Sequence, residues 1–184
     1  CNNVTYFLIV LSIIFFNFNN FELNNEILIN LSIILLTIVL LNSFGIIYLG
    51  DSGSYTLSIF FGVFLINFSL INSSISPYFI IVLLWYPCFE LLFSMIRRFS
   101  IKNKTYEPDT DHLHHLIYKK FKINTKFKNN LSSHLFTTLV INSYNLICFL
   151  ISTKYIYFSE ILLLIITVNI TVYTFVYYFL KRKN

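Results

Sequence analysis

Six apolar runs, each bounded by polar residues, divide this chain: Val4 to Phe18, Ile27 to Leu41, Tyr55 to Ile71, Tyr78 to Ile96, Leu135 to Ile151 and Ile161 to Leu180. A hydrocarbon core about 30 Å thick needs about 20 residues of helix at 1.5 Å each, so the first two runs lie near the short limit. The predicted fold class is all-α: a polytopic membrane helix bundle of about six transmembrane helices, forming one integral-membrane domain over residues 1–184. Composition points the same way. With 57% hydrophobic and only 11% charged residues and a mean hydropathy of +0.72, the chain does not read as a soluble globular domain, and its apolar load excludes intrinsic disorder. Three cysteines, Cys1, Cys88 and Cys148, share no repeating interval and do not make a disulfide framework.

Lys and Arg fix the expected sidedness, because short cytoplasmic loops retain positive charge. Arg97, Arg98, Lys102, Lys104, Lys119, Lys120, Lys122, Lys126 and Lys128 lie between the fourth and fifth runs, and Lys181, Arg182 and Lys183 follow the sixth. Those are twelve of the thirteen; Lys154, between runs five and six, falls on the opposite face when six spans are counted. The segment before Val4, the Leu49 to Ser54 turn, a long basic loop over 97–134 and the C-terminus are then all expected in the cytoplasm.

Two cytoplasmic segments carry chemistry. Gly50-Asp51-Ser52-Gly53-Ser54 heads the third span. There Asp51 can cap the helix through the amides that follow it, or hold a divalent cation while those amides receive a phosphate; both roles are compatible. Glu107-Pro108-Asp109-Thr110-Asp111-His112-Leu113-His114-His115 concentrates acids and imidazoles in the basic loop. Such a cluster is a set of donors for phosphate oxygens and a base or ribose, a metal site, or a solvated polar loop. No cysteine is near, and the oxygen ligands Asp51, Asp109 and Asp111 favour magnesium over zinc. His134, alone at the start of a span, reads as interfacial.

Glu90 lies seven residues before Arg97, about 10 Å inside the fourth helix, and follows Pro87, which can kink it. A carboxylate at that depth must face protein or water, and either fastens helices or serves a site. Asn17, Asn67, Asn142, Asn145 and Asn169 read as interhelical hydrogen-bond partners, and Trp85, Tyr86, Tyr177 and Tyr178 as packing or lipid-facing residues.

Three segments match a known family in order, spacing and side of the membrane: Tyr48-Leu49-Gly50-Asp51-Ser52-Gly53-Ser54, Trp85-Tyr86-Pro87-Cys88-Phe89-Glu90 leading to Arg97-Arg98, and Pro108-Asp109 followed by Asp111-His112-Leu113-His114-His115. From Asn42 to about Lys120 the chain resembles the polyprenyl-phosphate N-acetylhexosamine-1-phosphate transferases, the family that includes the muramyl-pentapeptide transferase. The resemblance implies a magnesium-dependent enzyme that transfers an N-acetylaminosugar-1-phosphate from a UDP-sugar to polyprenyl phosphate and releases UMP, initiating a surface polymer. Its branch looks closer to the O-antigen and teichoic acid initiators than to the muramyl-pentapeptide branch. By resemblance, Asp51 is the catalytic, metal-associated aspartate, His112, His114 and His115 bind the nucleotide-sugar diphosphate, and Arg97 and Arg98 balance phosphate charge. The implied setting is a bacterial plasma membrane, multi-pass, with the lipid bilayer, UDP-N-acetylaminosugar and polyprenyl phosphate as partners, no nucleic acid, and an organisation compatible with a homodimer.

One departure stands out. The family's paired aspartates normally precede the first span seen here, and no Asp-Asp pair exists in this sequence. With Cys1 first and Met95 the sole methionine, the expectation is the C-terminal portion of a longer chain, inactive by itself; a lipid-modified Cys1 is the other reading. The rivals from other classes are a membrane cation transporter, which would want more ionisable residues inside the spans than Glu90, and a structural membrane subunit.

Overall fold

The computed structural model describes residues 2–17, 25–43, 46–47, 50–101, 112–123 and 130–183. Seven helices occupy them: α1 (Asn2–Asn17), α2 (Asn25–Ser43), α3 (Gly50–Ile71), α4 (Pro77–Ile101), α5 (Leu113–Ile123), α6 (Asn130–Lys154) and α7 (Ser159–Lys183). Six of them lie over the six apolar runs. Pro77–Phe99, Ser132–Lys154 and Ser159–Arg182 are long and apolar enough to cross a membrane; Thr5–Ile14, Ser32–Leu41 and Tyr55–Ile71 are shorter apolar helices. The molecule is an all-helical bundle of the kind membrane proteins build.

Helix α4 is the spine, packing chiefly on α7 and α6, while α1 packs on α2 and α6 and α5 lies across α6 and α7. The sequence has no alanine and only four glycines, two of the small residues that permit close backbone approach between helices. Aromatic edges fill the seams instead. Between α4 and α7, Phe89 meets Tyr173 at 5.1 Å between ring centres, and Phe93 meets Tyr173 at 5.4 Å and Tyr177 at 4.8 Å, all edge to face. Such pairs add about 0.5–1.5 kcal/mol each beyond simple burial. Phe7 of α1 stacks on Phe61 of α3 at 4.4 Å. Much of α2 and α3 is apolar and exposed, as with Ile34, Ile59 and Leu70, which suits surfaces that face lipid.

Pro87 stands inside α4, where it offers no N–H and deprives the Leu83 carbonyl, four residues earlier, of its helical donor. The buried Tyr6 of α1 supplies the replacement, its hydroxyl donating to Leu83 O at 2.6 Å. The same logic covers the buried amides. Asn142 of α6 donates to Thr5 of α1, and Asn169 of α7 accepts from Tyr144 at 2.7 Å and from the Cys148 thiol at 3.3 Å, both on α6. Asn67 is exposed, Asn145 is buried with no partner among the described residues, and the Asn17 side chain is outside them.

Two turns meet at one end of the bundle. Ser76 N donates to Ile156 O at 3.1 Å, and the Ser76 and Ser159 hydroxyls pair at 2.9 Å. The α3–α4 and α6–α7 connections therefore sit together, and Arg97, Arg98, Lys181 and Arg182 fall at the far ends of α4 and α7. The first turn of α3, with Gly50 at φ +66°, heads the open end of the α3–α4 hairpin.

Candidate functional site

Helix α5 begins on the backbone of His112, whose carbonyl accepts from His115 N at 3.0 Å and Leu116 N at 3.1 Å. Leu113 and Leu116, one turn apart, are buried and pin the helix, while Lys119, Lys120 and Lys122 stay exposed. This amphipathic helix has no apolar run of span length, so it did not register among the predicted spans. Its signal was the three-residue spacing of Leu113 and Leu116 against a flank of lysines.

Anchored this way, the three histidines gather. The His112 and His114 rings lie near-parallel with centres 5.4 Å apart, while His115 is tilted against both, 4.3 Å from His114 and 6.1 Å from His112. Their carboxylate comes from α4: Glu90 Oε1 is 3.0 Å from His114 Nδ1 and 3.8 Å from His112 Nδ1. Glu90 is largely covered, with 12% of its side chain accessible, while the His112 and His114 side chains keep 26% and 33%. The sequence left Glu90 between fastening helices and serving a site; its partner is His114 of this cluster, 24 residues on. Burial, followed by the neighbouring His114 and His112, lowers His115 below the usual imidazole value, which favours its neutral form.

Arg97 reaches α7. Its Nη1 donates to the Tyr177 hydroxyl at 2.5 Å, its guanidinium lies 5.6 Å from the Tyr177 ring centre, and Lys181 reaches the same ring at 5.7 Å. Arg98 is partly buried on the same helix end. His134 is exposed and stacks on Tyr118 at 4.2 Å, as an interfacial residue would. Trp85, Tyr86 and Tyr177 are buried packing residues, and Tyr178 is exposed.

Asp51 belongs to the first turn of α3, but its side chain, together with Asp109 and Asp111, lies outside the described residues. Gly50 has open space where a Cβ would stand, so its requirement is the positive φ and not a close neighbour. Among the described residues no three of His, Cys, Asp and Glu are placed to hold one metal ion.

No protein-family model and no solved structure matches the chain. One curated protein does: the undecaprenyl-phosphate alpha-N-acetylglucosaminyl 1-phosphate transferase of Thermotoga maritima is 31% identical over 74 residues, which are 40% of this chain. The aligned part spans 24%, about a quarter, of that protein's length. Over those 74 residues, then, this chain is similar to a protein named as an undecaprenyl-phosphate sugar-1-phosphate transferase.

Proposed function

We propose that the protein takes part in transfer of an N-acetylaminosugar-1-phosphate from a UDP-sugar to polyprenyl phosphate, with release of UMP. The observation that carries the proposal is the gathering of His112, His114 and His115 against Glu90, in a chain whose relative bears such an activity in its name. In this reading the bundle crosses a bacterial plasma membrane six times, and the basic helix ends, α5 and the start of α3 face the cytoplasm.

Two anions must meet in this reaction. Two unit charges 4 Å apart repel by about 4 kcal/mol at an effective dielectric of 20, so the site needs cationic and hydrogen-bonding groups before any bond forms. The imidazoles would hold the diphosphate of the nucleotide sugar, and Arg97 and Arg98 would add positive charge beside it. Asp51 would hold magnesium, which when bound supplies charge neutralisation for the diphosphate and the departing nucleotide. Lysines on α5 and at the end of α7 would raise the local concentration of the anionic substrate.

The test is Asp51→Asn in the intact protein in its membrane. The expected result is loss of magnesium-dependent UMP release with normal membrane insertion; retained turnover would overturn the assignment of Asp51. His114→Ala is expected to raise the nucleotide-sugar KM first, and an unchanged KM would leave the cluster as a solvated polar helix end.

A further inference from the structure

We infer that Glu90 is a positioning residue for His114: it holds the ring in the Nδ1–H tautomer and aims Nε2 at the anionic ligand. The inference rests on the transferase reading for the identity of that ligand, but its geometric content stands apart from it.

A carboxylate only accepts hydrogen bonds, so a Glu90 oxygen 3.0 Å from His114 Nδ1 requires the proton on that nitrogen. The two ring nitrogens of an imidazole face opposite edges, and the bond made by one decides the state of the other. With Nδ1 turned inward on α4, Nε2 faces away from the protein anchor. Rigid elements back both ends of the bond. Glu90 lies three residues beyond Pro87, on the stretch of α4 that Tyr6 braces through the Leu83 carbonyl. His114 sits in the first turn of α5, between the buried Leu113 and Leu116. The His112 ring lies parallel to that of His114 within 14°, with its Nδ1 3.8 Å from the same oxygen, beyond hydrogen-bond reach. The consequence for function is a ligand-facing imidazole whose orientation is fixed before substrate arrives, held by a supporting group behind it.

The experiment has two arms on the intact protein in proteoliposomes. In the first, 15N solid-state NMR reads the tautomer of the neutral His114 ring. Nδ1–H is expected in the parent and in Glu90→Gln, whose amide oxygen still accepts, with reversion to Nε2–H in Glu90→Leu; Nε2–H in the parent would overturn the inference. In the second, UMP release is measured with UDP-N-acetylglucosamine and a polyprenyl phosphate. Glu90→Leu should raise KM about tenfold or more with a smaller change in kcat, Glu90→Gln should recover most of that loss, and Glu90→Leu combined with His114→Ala should be no worse than His114→Ala alone. Additive losses would make Glu90 a separate helix fastener and overturn the inference. Absence of UMP release from the parent, with the Nδ1–H tautomer seen by NMR, would instead sink the transferase reading and leave the positioning intact.

Discussion

The bond from Tyr6 to the Leu83 carbonyl makes a quantitative prediction, because the need for it traces to one residue. Pro87 removes the helical donor, and Tyr6, 2% exposed, replaces it at 2.6 Å. Tyr6→Phe keeps the ring, and with it the edge contact to Phe149 at 5.5 Å, and deletes only the hydroxyl. An unsatisfied buried acceptor costs about 1–3 kcal/mol, whereas hydrogen bonds between membrane helices average about 0.6 and reach about 1.7 kcal/mol. Since Leu83 has no helical alternative, the upper part of the membrane range applies: about 1.5 kcal/mol, or roughly tenfold in the unfolding equilibrium. In a Pro87→Ala background the alanine N–H restores the helical bond, and Tyr6→Phe should cost less than about 0.5 kcal/mol. The difference, about 1 kcal/mol, is the coupling. Detergent unfolding in mixed micelles, followed by fluorescence of the single tryptophan, Trp85, two residues from the proline and buried, measures all four proteins. An equal cost of Tyr6→Phe in both backgrounds would refute the reasoning.

Two further outcomes follow from the same structure. Gly50→Ala forces a Cβ onto φ +66° in open space, so the cost is one of backbone conformation, about 1–2 kcal/mol, with Gly50→Asn milder; equal unfolding midpoints for Ala and Asn would contradict this. His115, held below its ordinary value by burial and by His114 and His112, with Lys119 adding to and Glu90 opposing the effect, favours the neutral ring on folding. Its share of stability is complete above about pH 6.5, where the unfolded ring is also neutral, and is lost as pH falls through the lower folded value. His115→Gln should therefore flatten the acid side of the stability profile, and an unaltered profile would show that another group sets it.

Helices α1 to α4, α6 and α7 were readable as apolar runs because their hydrophobicity is uninterrupted, which a linear scan detects. The histidines were readable as a set because three imidazoles in four positions are close in any local conformation. Glu90 was readable only as a problem, a carboxylate about 10 Å inside a helix by its spacing from Arg97. Helix α5 escaped notice, since eleven residues with two histidines and three lysines resemble a polar loop until Leu113 and Leu116 are seen to be covered.

By itself the sequence determined the solvent, the number of apolar helices, the distribution of charge along the chain and the types of group available for chemistry. These depend on composition and local spacing, which the chain carries wherever it goes. Tertiary structure decided that Glu90 answers His114, that Tyr6 answers Pro87 and that Arg97 turns to Tyr177. Each joins residues 24 to 80 positions apart, and at such separations only the packing of whole helices determines which buried polar group finds which partner.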